Sequence, residues 1–89
     1  MSTGAWHPSL PRGVRLREDR VRSRWVLLAP ERIFEIDDVG VQILRRCDGR
    51  AMAELLTDLA SAFDVEPGDI RADVEAFLKD FADKKVLSL

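Results

Sequence analysis

The residues of this chain that could take part in chemistry are few, and they lie apart in the sequence. The 89 residues include a single histidine, His7, and a single cysteine, Cys47, so no CxxC or HxxxH spacing gathers metal ligands. The adjacent carboxylates Asp37 and Asp38 could form an acid–base pair, but they stand directly before a helical pattern, where capping of the helix accounts for them. The sequence therefore predicts no catalytic, cofactor-binding or metal-binding residues and favours a binding protein over an enzyme.

The surroundings of His7 and Cys47 favour structural roles for both. Residues 1–11 include one glycine and two prolines and show no periodicity, which predicts a flexible N-terminal arm with His7 as a solvated residue. A single domain is then expected to span residues 12–89. Cys47 falls on the apolar face of a predicted helix, a position typical of a buried and unreactive thiol.

The composition indicates one small globular domain. Hydrophobic residues make up 46% of the chain, which is enough for a single core at this length. No apolar run approaches the length of a membrane span, and the N-terminal residues lack the continuous apolar segment of a secretory signal peptide. One cysteine cannot form an internal disulfide, which favours a reducing compartment. We therefore expect a cytoplasmic protein with no membrane partner.

The formal net charge of -2 conceals a separation of charge along the chain. Residues 1–24 contain six arginines and two acidic residues, whereas residues 25–89 contain eight basic and fourteen acidic residues. The first part therefore carries a net charge of +4 and the remainder a net charge of −6. The chain is electrically polarised, with its basic part at the N-terminal end.

Alternating apolar and charged residues predict three β-strands in the first half of the chain. They are expected at residues 14–18, from residue 21 or 22 to residue 28, and at residues 33–36. Pro30 and Glu31 separate the last two strands, where a proline suits the first corner of a turn. Consecutive strands with short connections favour a meander in which the middle strand is central.

The two outer strands of this meander differ in charge. The first strand carries Arg15, Arg17 and Glu18, and charges on an edge strand discourage further pairing. The third strand carries only Arg32 and Glu35 among apolar neighbours. We therefore predict that the third strand is the open edge, whose unpaired backbone groups are free to receive another chain.

Beyond residue 38 the apolar period changes from two to nearly four, which predicts three helices. The first helix has Asp37 or Asp38 as its N-cap and ends before Gly49, a residue that suits a left-handed C-cap. Pro67 suits the first turn of the third helix. The apolar stripes of the three helices are Val39, Ile43, Leu44 and Cys47; Met52, Leu55, Leu56, Leu59, Ala60 and Phe63; and Ile70, Val74, Phe77, Leu78 and Phe81. Residues 86–89 are expected to return as an extended tail against the core. Three antiparallel strands followed by three helices make an α+β fold.

Three helices with short links are typical of a winged helix-turn-helix-like domain, which raises nucleic-acid binding as an alternative. A DNA-binding surface needs positive charge opposite the phosphates. The third helix instead carries five carboxylates: Asp69, Asp73, Glu75, Asp80 and Asp83. A winged-helix nucleic-acid-binding regulator therefore stays an alternative that only the arginine-rich strands support, and we expect no nucleic-acid partner.

The arginines of the first two strands leave two interpretations open. Arg15, Arg17, Arg22 and Arg24 form either a solvated strand face or a surface that contacts a partner enzyme or acidic residues of a peptide. The quaternary structure is also open, because a two-stranded ribbon next to a short proline turn can exchange between protomers. A monomer and a strand-swapped dimer are both compatible with the sequence.

Three groups of residues resemble a known family. They are Leu-Leu-Ala-Pro-Glu-Arg at residues 27–32, Ile43-Leu44 followed by Cys47-Asp48-Gly49, and Asp73-Val74 with Phe77-Leu78. Over roughly residues 8–89 the chain resembles coenzyme PQQ synthesis protein D. Two positions depart from the pattern of that family. Arg50-Ala51 replaces a small hydroxyl residue before the second helix, and Lys85 stands where a glycine commonly ends the third.

The resemblance implies a peptide chaperone, also called a recognition element, with a winged-helix-like fold. Such proteins bind the ribosomally made precursor peptide of pyrroloquinoline quinone (PQQ) and present it to a radical S-adenosylmethionine (SAM) enzyme. In the wider family the peptide adds a strand beside the third strand and packs on the third helix. Transferred by position, this implies the following peptide-binding residues: Arg32, Ile33, Phe34, Glu35, Ile36, Asp73, Val74, Phe77, Leu78 and Phe81. From the residues alone, at least half of the apolar stripe of the third helix is expected to be core.

Overall fold

Residues 3–89 are described by the computed structural model of the protein. A short 3-10 turn, Thr3–Ala5, precedes three strands, which are β1 (Arg15–Asp19), β2 (Arg24–Ala29) and β3 (Arg32–Ile36). Three helices follow, which are α1 (Asp38–Arg45), α2 (Met52–Phe63) and α3 (Pro67–Asp83). The strands form one antiparallel sheet in the order β1-β2-β3. The predicted α+β fold of three strands and then three helices is confirmed.

The turn between β2 and β3 is the one that the proline predicts. Ala29 pairs with Arg32, so only Pro30 and Glu31 lie in the loop. Glu31 has a φ of 62°, which follows the fixed φ of proline as in a type II turn. The tight loop fixes the register, so that Leu27 lies opposite Phe34 and both face the helices.

The start of β2 was predicted too early. The strand begins at Arg24, and Val21 lies in the preceding loop with 92% of its surface exposed. The carboxylate of Asp19 organises this loop, because it accepts hydrogen bonds from the backbone N–H of Arg22 and from the guanidinium groups of Arg22 and Arg24. A side chain that gathers three donors in this way favours a loop over the continuation of two strands.

Helix α1 begins as predicted and ends earlier. Asp37 is the N-cap, and its Oδ1 accepts a hydrogen bond of 2.7 Å from the backbone N–H of Gly40. The helix ends at Arg45, so Gly49, with a φ of 92°, turns the chain three residues beyond the C-cap. Val39 was assigned to the apolar face, but 53% of its surface is exposed.

One core cluster joins the sheet to all three helices. Leu27 of β2, Leu55 of α2 and Leu78 of α3 are fully buried at its centre. The predicted C-terminal tail is confirmed, since Val86 and Leu87 are buried in the same cluster. Within residues 3–89, no helix combines the length and the apolar character that crossing a membrane would require.

The described part of the N-terminal segment, residues 3–11, differs from the predicted flexible arm because it packs on the domain. Pro8 is buried, and Trp6 packs against the core. The carbonyl of Trp6 accepts a hydrogen bond from the backbone N–H of Met52 at the start of α2. That helix has Ala51 as its N-cap and no capping side chain, so a distant carbonyl provides the missing acceptor. Met1 and Ser2, which belong to the same predicted arm, lie outside the described residues.

Helix α3 ends in a Schellman motif that has no glycine. The backbone N–H of Val86 bonds the carbonyl of Phe81, and the N–H of Lys85 bonds the carbonyl of Ala82. Lys85 adopts a φ of 65°, the left-handed conformation that glycine favours. The structure therefore keeps the C-cap geometry of the family pattern although a lysine stands at the position of the glycine.

Replacing Lys85 by glycine is expected to stabilise the protein. A left-handed conformation costs an L-residue about 1–2 kcal/mol, and glycine avoids this strain. Part of the gain is offset because glycine loses more conformational entropy on folding. We expect a gain of about 1 kcal/mol in the free energy of unfolding and a melting temperature higher by about 4–8 °C in thermal denaturation. The control is Lys84→Gly at a φ of −80°, which is expected to lower the melting temperature. A destabilised Lys85→Gly variant would contradict the prediction.

Candidate functional site

Strand β3 pairs with β2 on one side only, so its other side is an open edge of the sheet. In an antiparallel hairpin with a two-residue loop, the pair next to the loop exchanges hydrogen bonds, and the pairs then alternate along the strands. Since Ala29 and Arg32 are that pair, Phe34 and Ile36 also bond towards β2. The backbone N–H and C=O groups of Ile33 and Glu35 therefore point away from the sheet.

A cleft lies between this edge and helix α3. Its walls are Glu35, Ile36 and Asp37 on the strand side and Phe77 and Phe81 on the helix side. The ring centroids of Phe77 and Phe81 lie 4.8 Å apart. The cleft thus offers aromatic surface directly beside unpaired backbone groups, a combination that suits an extended peptide.

The aromatic side of the cleft is tied to the sheet through Phe81. The edge of one ring meets the face of the other where Phe81 packs against Phe34, with centroids 5.7 Å apart and an interplanar angle of 78°. Phe81 is 9% exposed, whereas Phe77 is only partly buried and lies nearer to solvent. Phe77 is therefore the aromatic residue of the cleft most available for contact.

The ten predicted peptide-binding residues divide into three groups. Arg32, Ile33, Glu35 and Asp73 are exposed, and Phe34 and Phe77 are partly buried. Ile36, Val74, Leu78 and Phe81 are buried core residues. The structure brings Glu35, Ile36, Phe77 and Phe81 together in the cleft, and it places Val74 and Leu78 beneath them. The side chain of Ile33 lies on the opposite face of the sheet from Phe34, so only the backbone of Ile33 reaches the edge.

Two residues that shape the site, one in the cleft and one behind it, were not among those predicted. Asp37 lines the cleft in addition to capping α1. Its position directly after β3 was the signal in the sequence that could have placed it there. Gly40 of α1 is the second, because it allows Phe77 to approach. A Cβ atom at Gly40 would lie 2.7 Å from Cγ2 of Ile36 and 3.1 Å from Cε2 of Phe77. No pattern in a single sequence shows such a close approach.

The charges at the edge are partly satisfied within the chain. The guanidinium of Arg32 lies 5.5 Å from the ring centroid of Phe34, a cation–π distance. Glu35 lies 3.6 Å from the guanidinium of Arg24 on the neighbouring strand. The edge therefore presents backbone groups between a cation and a carboxylate that are already oriented.

The outer face of the sheet, away from the helices, carries Arg15, Arg17 and Arg24, and Arg22 lies in the loop between β1 and β2. Hydrogen bonds from Arg22 and Arg24 hold the pKa of Asp19 below its ordinary value, although desolvation alone would raise it. Arg15 and Arg17 form no ion pair within residues 3–89. Their charges remain available for a partner.

The single cysteine and the single histidine lie outside the cleft. Burial, and then the nearby charge of Asp48, raises the pKa of the Cys47 thiol to about 12, so the thiolate needed for nucleophilic attack is absent at neutral pH. The Sγ of Cys47 donates to the carbonyl of Ile43. His7 is exposed and lies next to the carbonyl of Gly49. Among residues 3–89 no group of three or more His, Cys, Asp or Glu side chains is arranged to hold a metal ion.

The fold and the cleft define a small α+β domain whose open edge strand lies beside an aromatic cleft on the last helix. Residues 24–87 match the family model described as coenzyme PQQ synthesis protein D (PqqD). The chain belongs to the coenzyme PQQ synthesis protein D family, as the sequence predicted.

Relatives and solved structures of this family align with nearly the whole chain. A PqqA binding protein of Rhodopseudomonas palustris (strain BisB5) is 45% identical over 94% of this chain and 83% of the relative. The bifunctional coenzyme PQQ synthesis protein C/D of Methylorubrum extorquens is 45% identical over 96% of this chain and 23% of that longer protein.

The solution structure of the PqqD truncation of Methylobacterium extorquens PqqCD, described as a functional and stand-alone recognition element, superposes with a TM-score of 0.78. It is 41% identical and covers all of both chains. The crystal structure of PqqD from Xanthomonas campestris gives a TM-score of 0.60 at 40% identity over 91% of each chain.

Replacing Gly40 by alanine is expected to displace Phe77 and destabilise the domain. The new methyl group would collide with Ile36 and press on Phe77, and overpacking of this kind costs about 1–3 kcal/mol. Chemical denaturation measures the loss, and the ring resonances of Phe77 are expected to shift. The matched control is Gly68→Ala, where a Cβ atom meets nothing within 4 Å and no loss is expected. Equal stability of the two variants would contradict the packing argument.

Proposed function

We propose that this protein is a peptide chaperone of PQQ biosynthesis, which binds the ribosomally made precursor peptide as an added strand along β3. One observation carries the proposal. In a family whose members include proteins named for binding PqqA, the backbone groups of Ile33 and Glu35 point outwards directly beside the cleft of Phe77 and Phe81. The peptide then pairs with the edge through its backbone and places side chains into the cleft.

The free energy available at this site suits a reversible complex. The edge offers four backbone groups, and a hydrogen bond contributes about 1 kcal/mol net. An apolar anchor buried in the cleft adds roughly 1.5–3 kcal/mol. A micromolar complex requires about 8 kcal/mol net, so four backbone bonds need two or three such anchors if they are also to offset the cost of ordering a flexible peptide. A chaperone that must hand its peptide to another protein benefits from affinity in this range.

The ten predicted residues take different roles in this proposal. The backbone of Ile33 and Glu35 pairs with the peptide, and the side chains of Phe77 and Phe81 receive it. Ile36 lines the cleft beside them. The buried side chains of Val74 and Leu78 fix the position of α3 and support the aromatic rings from beneath.

The role proposed here is presentation of the peptide and not catalysis. The radical SAM enzyme of the pathway would act on the peptide while this protein holds one end of it. A strand added to the edge of a sheet keeps the rest of the peptide extended and accessible, which suits a substrate that a second protein must reach.

Removing one outward N–H of the edge is expected to weaken peptide docking without unfolding the domain. Ile33→Pro deletes a backbone donor that β2 does not use, and proline is tolerated at edge positions of this kind. We expect affinity for a synthetic PqqA peptide to fall by at least tenfold, because a hydrogen bond of about 1 kcal/mol is lost and the ring blocks the added strand. Isothermal titration calorimetry measures the change, and circular dichroism verifies the fold.

The matched control is Ile33→Ala, which keeps the N–H and removes only a side chain on the opposite face of the sheet. It is expected to bind the peptide like the unaltered protein. If both variants bound equally well, the peptide would not pair with this edge.

The outer face of the sheet is proposed to contact the partner enzyme. Arg15 and Arg17 lie opposite Leu28 and Val26 in the sheet, and neither arginine has an acidic partner among residues 3–89. Arg22 and Arg24 flank them but already bond Asp19. A partner with exposed carboxylates would gain most from the two unpaired arginines, and the peptide edge would stay accessible.

Reversing the charges of Arg15 and Arg17 is expected to weaken the complex with the radical SAM enzyme and to leave peptide affinity unchanged. The effect should be largest at low salt, because exposed charges are screened at physiological ionic strength. Surface plasmon resonance at two salt concentrations measures it. Lys79→Glu with Lys84→Glu changes the net charge equally on another surface and serves as the control. Unchanged enzyme affinity in the Arg15 and Arg17 variant would eliminate this contact.

A further inference from the structure

A second apolar cavity lies among the three helices, next to the cleft at β3. Its volume is about 200 Å³, and it opens between the start of α1 and the first half of α3. At its opening, Val39 and Phe63 are exposed over 53% and 42% of their surfaces. Exposed apolar side chains at the mouth of an apolar cavity are typical of a binding surface.

The cavity adjoins the cleft at β3. Asp37 and Phe77 line both of them, so the side chain of Phe77 borders the strand edge as well as the space among the helices. A peptide strand that follows β3 past Ile36 would reach Asp37 and the beginning of α1. The same bound chain can therefore occupy both places.

The size and charge of the cavity restrict what it can hold. Sites for whole small molecules usually occupy about 300–1,000 Å³, so a cavity of about 200 Å³ fits a single side chain better. Its lining is apolar except for Asp37 and Asp73 at the rim. No ion pair involves Asp73 within residues 3–89, and a carboxylate beside an apolar pocket favours a cation next to the inserted group.

We propose that this cavity is a second subsite of the peptide site, which takes an apolar side chain of the precursor peptide next to a lysine or arginine that pairs with Asp73. The inference rests on the proposed function. It explains why Val39 and Phe63 are exposed and gives Asp73, which lies outside the β3 cleft, a role in recognition. The subsite adds sequence selectivity, since pairing with the strand edge alone reads no side chains.

The test uses two variants that leave the core intact. Val39→Phe places a larger side chain at the mouth of the cavity, and Asp73→Lys reverses the charge of its rim. Both positions are exposed, so both variants are expected to fold. Glu54→Lys on α2 makes the same change in net charge at an exposed position away from the cavity and serves as the control.

We expect Val39→Phe and Asp73→Lys each to weaken binding of a synthetic PqqA peptide by about fivefold or more, equivalent to ~1 kcal/mol, and Glu54→Lys to change it little. Peptides in which each lysine or arginine is replaced in turn by alanine then identify the paired residue. One of these peptides is expected to bind the unaltered protein more weakly than the original peptide does. Its affinity is expected to fall no further when Asp73→Lys is introduced.

Each contrary outcome points to a different failure. If the unaltered protein binds the peptide and both cavity variants bind equally well, the subsite is refuted while the proposed function stands. If the unaltered protein does not bind the peptide, the proposed function fails first. If Val39→Phe changes the sedimentation coefficient and not peptide affinity, a second copy of the chain covers the cavity, and the proposal is overturned.

Discussion

Burial of one stripe of α3 against the sheet is the interaction on which both the fold and the cleft depend. Val74, Leu78 and Phe81 have less than a tenth of their surface exposed, and Phe81 meets Phe34 of β3 edge to face. This contact positions the last helix along the last strand without covering the strand's outer edge. In a sheet of three strands β3 pairs only with β2, so the packing that stabilises the domain also leaves the edge proposed for peptide binding open.

Local patterns predicted most of the fold, because the strands and helices are amphipathic with clear periods. The open edge followed from the charges of Arg15 and Arg17 on the other outer strand. The start of β2 was missed because Asp19 organises the loop through donors that lie three to five residues away, which no alternation reveals. The packing of Trp6 was missed for a different reason: it satisfies the start of α2, 46 residues along the chain, where Ala51 provides no cap. Periodicity carries no information about such a partner.

The sequence predicted which strand and helix form the candidate site, but not which of their side chains are exposed. A helical stripe shows which residues are apolar, but the division between core and cleft depends on what packs against each one. Leu78 and Phe77 are adjacent in sequence, and yet one is fully buried while the other borders two cavities. Neighbouring residues of a helix point about 100° apart, so the two side chains meet different surroundings. Gly40, which has no side chain, lets α1 approach Phe77. The family resemblance implied a region on β3 and α3, and only the three-dimensional packing shows which of its residues are exposed and which belong to the core.

In the proposed complex a rigid site binds a flexible peptide. This contrast allows the complex to be specific without being very tight. The rings of Phe34 and Phe81 are held by the core, and Asp37 is fixed by its bond to Gly40, so the site loses little conformational entropy on binding. The peptide bears most of the ordering cost, which offsets much of the gain from backbone pairing. The difference in affinity between one peptide and another is then governed by the few side chains that bind in pockets, because backbone pairing is available to any extended chain. In the proposed complex, a protein of this size therefore distinguishes its peptide through Phe77 and its neighbours, while the edge of β3 would supply the register and the direction of the bound strand.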